Sequence, residues 1–238
     1  MPPPPDHFQL FGFEHLTVVA VFVVLLTLVV LLARRAEPDT RRCWERIVAM
    51  VQLIAFVLVN GYWLLPQVFT VANSLPVHVS DVAALVAPLV LLTCHRWLRA
   101  IFYFWGLGLC AHAFITPDLL TGFPALGFWL FWVPHYFIVG TAIYDVVVRG
   151  YRPGWSDFRV AVIAGMLYAA AIIPLNIALD VNYGYLGRRQ PGQPTLLQYF
   201  GPWPWRVLVL AALVTVLWTL MTLPWKLGKR ASAREHNS

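Results

Sequence analysis

The chain has 238 residues, 60% of them hydrophobic and only 12% charged, with a mean hydropathy of +0.69 and a net charge of +6. An ordinary soluble domain carries roughly 25% charged residues, so this composition excludes a soluble globular enzyme and indicates an all-α polytopic membrane protein. The positive charge needs no nucleic-acid partner, because the basic residues are distributed as a membrane topology signal; membrane lipids are the expected partners, and the oligomeric state is left open.

The first stretch, MPPPPDHFQLFGFEH, has no basic residue ahead of its apolar run. That is unlike a cleaved signal peptide, so the first span is expected to stay in the mature protein. About 20 apolar residues cross a bilayer as a helix. On that length the charge-poor runs read as seven spans in one domain, at about 14–33, 47–66, 75–95, 97–116, 124–148, 158–180 and 205–225. Glu14 and His15 open the first span. The second and third are divided between Pro66 and Pro76, where NSLP at 73–76 offers Asn73 or Ser74 as a helix cap and Pro76 for the first turn.

The third span opens on LPVHVSD, which places His78, Ser80 and Asp81 at the mouth of an otherwise uncharged helix. His78 and Asp81, three residues apart, would share a helical face, and a carboxylate there could orient the imidazole and stabilise its charged form. Ser80 would point away from His78 and would need a base from another helix. His112 lies near the end of span four, with Asp118 beyond it. His135 falls near the middle of span five, after Pro134, which removes an amide donor and can kink the helix. Asn176 and Asp180 close span six on a common face, Asn176 as a candidate for a helix-to-helix hydrogen bond. Asn182 and Tyr183 follow directly. GPWPW at 201–205 reads as an interfacial aromatic belt ahead of span seven.

Arg34, Arg35, Arg41, Arg42, Arg46, Arg96, Arg99, Arg149, Arg152, Arg159, Lys226, Lys229, Arg230 and Arg234 lie on one side of the spans, 14 of the 17 basic residues. Only Arg188, Arg189 and Arg206 lie on the other. The positive-inside rule then puts the N-terminus outside and the C-terminus in the cytoplasm of a multi-pass cell-membrane protein. Glu14, His15, His78, Asp81, His112, Asn176, Asn182 and Tyr183 gather toward the outer half, with His135 deeper. Ionisable groups in a bilayer are costly unless paired or hydrated, so they either mark a site facing the bundle interior or sit wet at the headgroups.

Cys43 and Cys94 fall on the cytoplasmic side and Cys110 within span four, so reduced structural thiols are expected. There is no Gly-rich phosphate loop or dinucleotide fingerprint, and no cofactor or metal is expected. A zinc-dependent lipid hydrolase remains an alternative, although span seven lacks the paired histidines such enzymes carry. No span holds a lysine for a retinal Schiff base.

GFEHL at 12–16, LPVHVSD at 75–81, TPD at 116–118, PH at 134–135, NYGYL at 182–186 and GPWPW at 201–205 together resemble the YwaF-like family of bacterial integral membrane proteins over nearly the whole chain. That family is similar to a eukaryotic transmembrane acyltransferase that moves polyunsaturated acyl chains onto ether lysophospholipids. The resemblance implies a Cys-His pair at the start of a span, falling on Val77 and His78, and a later histidine, falling on His135. Valine at 77 cannot be a nucleophile. Bacterial relatives carry cysteine where this chain has Ser80, so a serine could substitute, or a histidine could activate the acceptor directly.

The expected function is therefore acyl transfer or ester hydrolysis on phospholipids, with His78, His135, Asp81 and Ser80 as the catalytic candidates. Glu14, His15, His112, Asn176, Asn182 and Tyr183 are the substrate-binding candidates. The alternative is a proton-coupled transporter or channel using the same histidines and Asp81. It requires a polar path to the cytoplasmic side, where Asp145 is expected to be simply hydrated.

Overall fold

The structure, a computed structural model, describes residues 8–189 and 199–235, with side chains described as far as Lys226 in the last helix. Residues 1–7 and the side chains of Lys229, Arg230 and Arg234 lie outside the described residues. Among the described residues seven α-helices run in chain order. They are α1 (Phe13–Arg35), α2 (Pro38–Trp63), α3 (Val79–Thr93), α4 (Arg96–Phe102), α5 (Leu126–Val147), α6 (Trp155–Leu179) and α7 (Trp205–Glu235). Five of them, α1, α2, α5, α6 and α7 as far as Lys226, are long and apolar enough to cross a membrane.

The burial pattern inverts that of a soluble helix. Along α1 only His15, Phe22 and Ala33 are buried, while Val23, Val24, Leu28 and Leu32 are exposed. On α2 the buried positions are Glu45, Ala49 and Gln52, one stripe at the four-then-three spacing of a helix face. Apolar side chains thus face outward and part of the polar set faces in, as a lipid solvent requires. Pro38 opens α2 in the first turn, where its missing N–H costs nothing, so Ala36 and Glu37 alone separate α1 from α2.

α3 packs between α2 and α5, and α4 packs on α6. α3, α4 and α5 meet in a core of Ala83, Ala87, Val90, Leu98, Phe102, Ile138 and Ala142, joined by Cys110 from the segment after α4. Small residues on α3 let the backbones approach closely. α4 does not end at Phe102. It continues as a π-helical turn over Tyr103–Cys110 and a 3-10 turn over Ala111–Phe114. Wide π geometry is uncommon and found often at functional sites. Gly108 lies inside it, and a Cβ there would come within 2.7 Å of Trp218 Nε1, so glycine is what lets α7 lie against this segment.

Two sequence expectations change. α2 begins at Pro38, not near 47, so it carries Asp39, Arg41, Arg42, Glu45 and Arg46 within the helix. α3 begins at Val79, and the cap is His78 rather than Asn73 or Ser74. Ser74 is buried and accepts the Thr70 amide at 2.9 Å, which holds a turn in place before the helix starts. The three cysteines are free, Cys43 and Cys94 exposed and Cys110 buried.

Candidate functional site

His78 sits at the junction of an irregular segment, Leu64 to Val77, with α3. Its backbone is extended (φ −64°, ψ 155°), and its amide donates to Asp81 Oδ2 at 2.9 Å. The carboxylate therefore caps the helix and does not orient the imidazole. Face-sharing at three residues assumes both lie inside a helix, and His78 precedes the first turn. Neither ring nitrogen of His78 makes a hydrogen bond among the described residues. The ring instead meets Tyr183 edge-on at 4.7 Å. Ser80 lies half-buried in the first turn of α3. Asp81 interacts electrostatically with Tyr168, Tyr183 and Cys110.

Tyr183 organises this end. It is fully buried, its hydroxyl donates to Val71 O and accepts from the Leu75 amide at 3.2 Å. Its own backbone is clamped by Asn176, whose Nδ2 donates to Tyr183 O at 2.9 Å and whose Oδ1 accepts from Tyr183 N at 2.8 Å. Asn176 thus bonds to the following turn, not to another helix. Tyr168 adds a bond from its hydroxyl to Val77 O at 2.7 Å, and Asn182 Oδ1 accepts from Gly187 N at 2.8 Å. Asp180 leaves the face of Asn176, because it takes a left-handed conformation (φ 50°) and pairs with Arg189 at 2.8 Å in solvent. Asn176→Ala should cost about 2–4 kcal/mol, since two bonds go and a buried amide and carbonyl are left unpaired. Unfolding in detergent would check this, and an unchanged midpoint would remove the clamp from the account.

The other histidines divide by which nitrogens are used. His15 is 1% exposed and uses both: Nδ1 accepts from Phe11 N at 3.1 Å and Nε2 donates to Phe114 O at 3.1 Å. With Glu14, which accepts from Phe123 N at 3.3 Å, it fastens α1 to the chain after α4. His135 donates from Nδ1 to Phe131 O at 2.7 Å and stacks on the Phe131 ring at 4.4 Å. A carbonyl can only accept, so the proton is on Nδ1 and the neutral ring presents Nε2 as a bare lone pair. His112 has the same arrangement toward Leu109 O and interacts electrostatically with both His135 and Asp118. Beside Asp118, burial and that carboxylate push the Tyr185 hydroxyl up to about 12.

The predicted site residues thus form three groups: His78, Ser80, Asp81, Asn176, Asn182 and Tyr183; His112 and His135; Glu14 and His15. No hydrogen bond or ring contact joins the His78 and His135 rings among the described residues. Nor, among those residues, do three side chains of His, Cys, Asp or Glu gather to hold a metal.

The TMEM164 family model matches residues 10–222, a stretch that includes all of these residues. The chain belongs to the TMEM164 family. No curated protein and no solved structure matches it.

At the opposite end, this TMEM164-family chain holds a network that sequence reasoning missed. Glu45 accepts from Tyr144 Oη at 2.7 Å and from Arg149 at 3.1 and 2.9 Å. Arg149 also donates to Val90 O and Leu91 O at 2.8 and 2.7 Å, satisfying carbonyls at the end of α3. Asp145 is 3% exposed and bonded to Arg99 at 2.8 Å. Its expected hydration is therefore corrected: counter-charges on other elements let it be buried. Asp157 joins Arg96 at 2.6 Å, and both Arg96 and Arg99 lie over the Tyr151 ring. Burial pushes the Tyr151 hydroxyl upward. The legible signal was Asp145 and Arg149, four apart with opposite charge.

Proposed function

We propose that this membrane protein is a lipid-modifying enzyme that transfers or hydrolyses phospholipid acyl esters, with histidine as the general base. The observation that carries the reading is His135, whose Nδ1 is committed to Phe131 O and whose Nε2 is left as an acceptor. A base needs a lone pair within about 3 Å of the proton it takes. Neither ring nitrogen of His78 is bonded among the described residues, and it supplies the second candidate. Ser80 is the candidate nucleophile; direct activation of the acceptor hydroxyl is the other route. The YwaF-like resemblance, and through it the ether-phospholipid acyltransferase, favours the acyl-transfer form.

The transporter reading asks for a polar path from the histidines to Asp145. Between them the core of Ala83, Ala87, Val90, Ile138 and Ala142 is apolar. Below His135 on α5, Gln52 donates to Thr141 at 2.8 Å before the Tyr144–Glu45 pair is reached. This favours an enzyme. The purified protein should change a phospholipid panel in a histidine-dependent way; no acyl transfer or hydrolysis on any member would sink the enzyme and promote the transporter.

The topology that goes with this function is seven spans, with the His78 end outside in the cell membrane. Cys43 and Cys94, exposed at the arginine-rich end, should react with a membrane-impermeant thiol reagent only after permeabilisation. A Cys-free background carrying Arg188→Cys should react on intact cells. The reverse pattern would turn the orientation over.

A further inference from the structure

Arg206 opens the second position of α7 and is 1% exposed. Its Nη2 donates to Gly187 O and to Arg189 O, the latter at 2.6 Å, and Nη1 is buried without a partner. No described carboxylate pairs with it. Asp180 is engaged by Arg189, Asp81 by the His78 amide and Glu14 by the Phe123 amide. The intervening sequence QPGQPTLLQ at 190–198 contains no acid. The guanidinium also lies at the positive end of a long helix dipole. A buried cation with only backbone carbonyls for company is costly, and here a second positive field is added to it.

The surroundings repeat the sign. Arg188, Arg189 and Arg206 lie on this one turn and the start of α7, and of the three only Arg189 is paired with a carboxylate among the described residues, that of Asp180. Arg188 stacks at 4.9 Å over Trp203, whose Nε1 donates to Leu186 O at 3.2 Å. A basic cluster with an indole at a membrane interface fits a phosphate headgroup, because guanidinium matches phosphate geometry and indole favours the interface. Bonded residues connect the cluster to the site: Arg206 to Gly187, Gly187 to Asn182, then Tyr183 against His78.

We propose that Arg206 is the headgroup-recognition residue, binding the phosphodiester of the lipid on which the site acts, with Arg188 as the exposed first contact. This rests on the lipid-ester reading above and adds to it which lipids are accepted. The expected behaviour is selectivity for phosphate-bearing over phosphate-free glycerolipids of the same acyl composition. Arg206 is a binding residue and takes no part in the chemical step.

The test is retention of lipid by the full chain in neutral detergent, read by native mass spectrometry. Phosphatidylcholine, phosphatidylglycerol and diacylglycerol are offered at equal concentration, with inorganic phosphate as competitor. The wild-type chain should prefer both phospholipids over diacylglycerol by about ten- to hundredfold, the span of one lost charged hydrogen-bond set, and should keep them in phosphate buffer. Arg206→Gln should lose the preference and Arg206→Lys should keep part of it. Because Arg206 also holds the 187–189 turn, Arg188→Gln, at an exposed position, provides an independent arm and should weaken the preference with the fold intact. Equal retention of diacylglycerol by the wild type, a folded Arg206→Gln chain that keeps the preference, or an unchanged preference in Arg188→Gln would overturn the proposal. So would displacement by inorganic phosphate, which would make this a free-phosphate site. Histidine-dependent hydrolysis of diacylglycerol at the phospholipid rate would leave the chemistry standing and remove Arg206 from it.

Discussion

His135→Ala is expected to lower phospholipid acyl turnover by about 10²–10⁴, the usual contribution of a positioned general base, while the protein still folds. The ring makes one hydrogen bond, to its own helix, so its removal breaks no tie between elements. His78→Ala should have a comparable effect, and Cys110→Ala should leave turnover intact, because that thiol is buried in the apolar core. Ser80→Ala separates the two chemistries. A loss matching that of the histidine variants means an acyl-serine, with the ester oxygen leaving as the serine oxygen bonds the carbonyl carbon. Near-normal turnover means the base activates the acceptor directly. Turnover that survives both histidine substitutions would be incompatible with the proposed mechanism.

Glu45→Ala should cost about 3–5 kcal/mol, the range for removing one partner of a buried ion pair. Glu45 and Arg149 are 8% and 12% exposed in their side chains, so solvent screens them little. The loss also strands the Tyr144 hydroxyl. Replacing both by apolar residues, Glu45→Leu with Arg149→Met, should recover only part of this, because Arg149 also bonds Leu91 O and adds a second donor to Val90 O, which already accepts the Cys94 amide. Unfolding in bicelles is the measurement; a Glu45→Ala chain as stable as wild type would mean the network contributes no net stability.

The five long helices were legible because hydropathy is local: each of those apolar runs lies within one element. The start of α3 was not, since it is set by Tyr183 and Tyr168 holding residues 71–77 from more than ninety positions away. That displaced start also misled the reading of Asp81, whose partner is the amide of His78, just ahead of the first turn. Asp145 looked wet because its counter-charge Arg99 belongs to another helix. Arg206 registered only as one more basic residue in a topology count, because sequence cannot say that a charge near a helix start is buried. The tautomer of His135 is likewise invisible without its carbonyl.

The brevity of α3 sets a depth. Its 15 residues extend about 22 Å, whereas the hydrocarbon core of a bilayer is about 30 Å thick, so on the seven-span reading α3 is mismatched by several ångströms. At one end Arg149 closes the last carbonyls, and the chain there needs no water. On the proposed topology the shortfall is expected at the other end, which would set His78 below the headgroup plane, near the level where acyl chains join the glycerol backbone. A lipid could present its ester bond to such a site by lateral diffusion within the leaflet, without being lifted out of it.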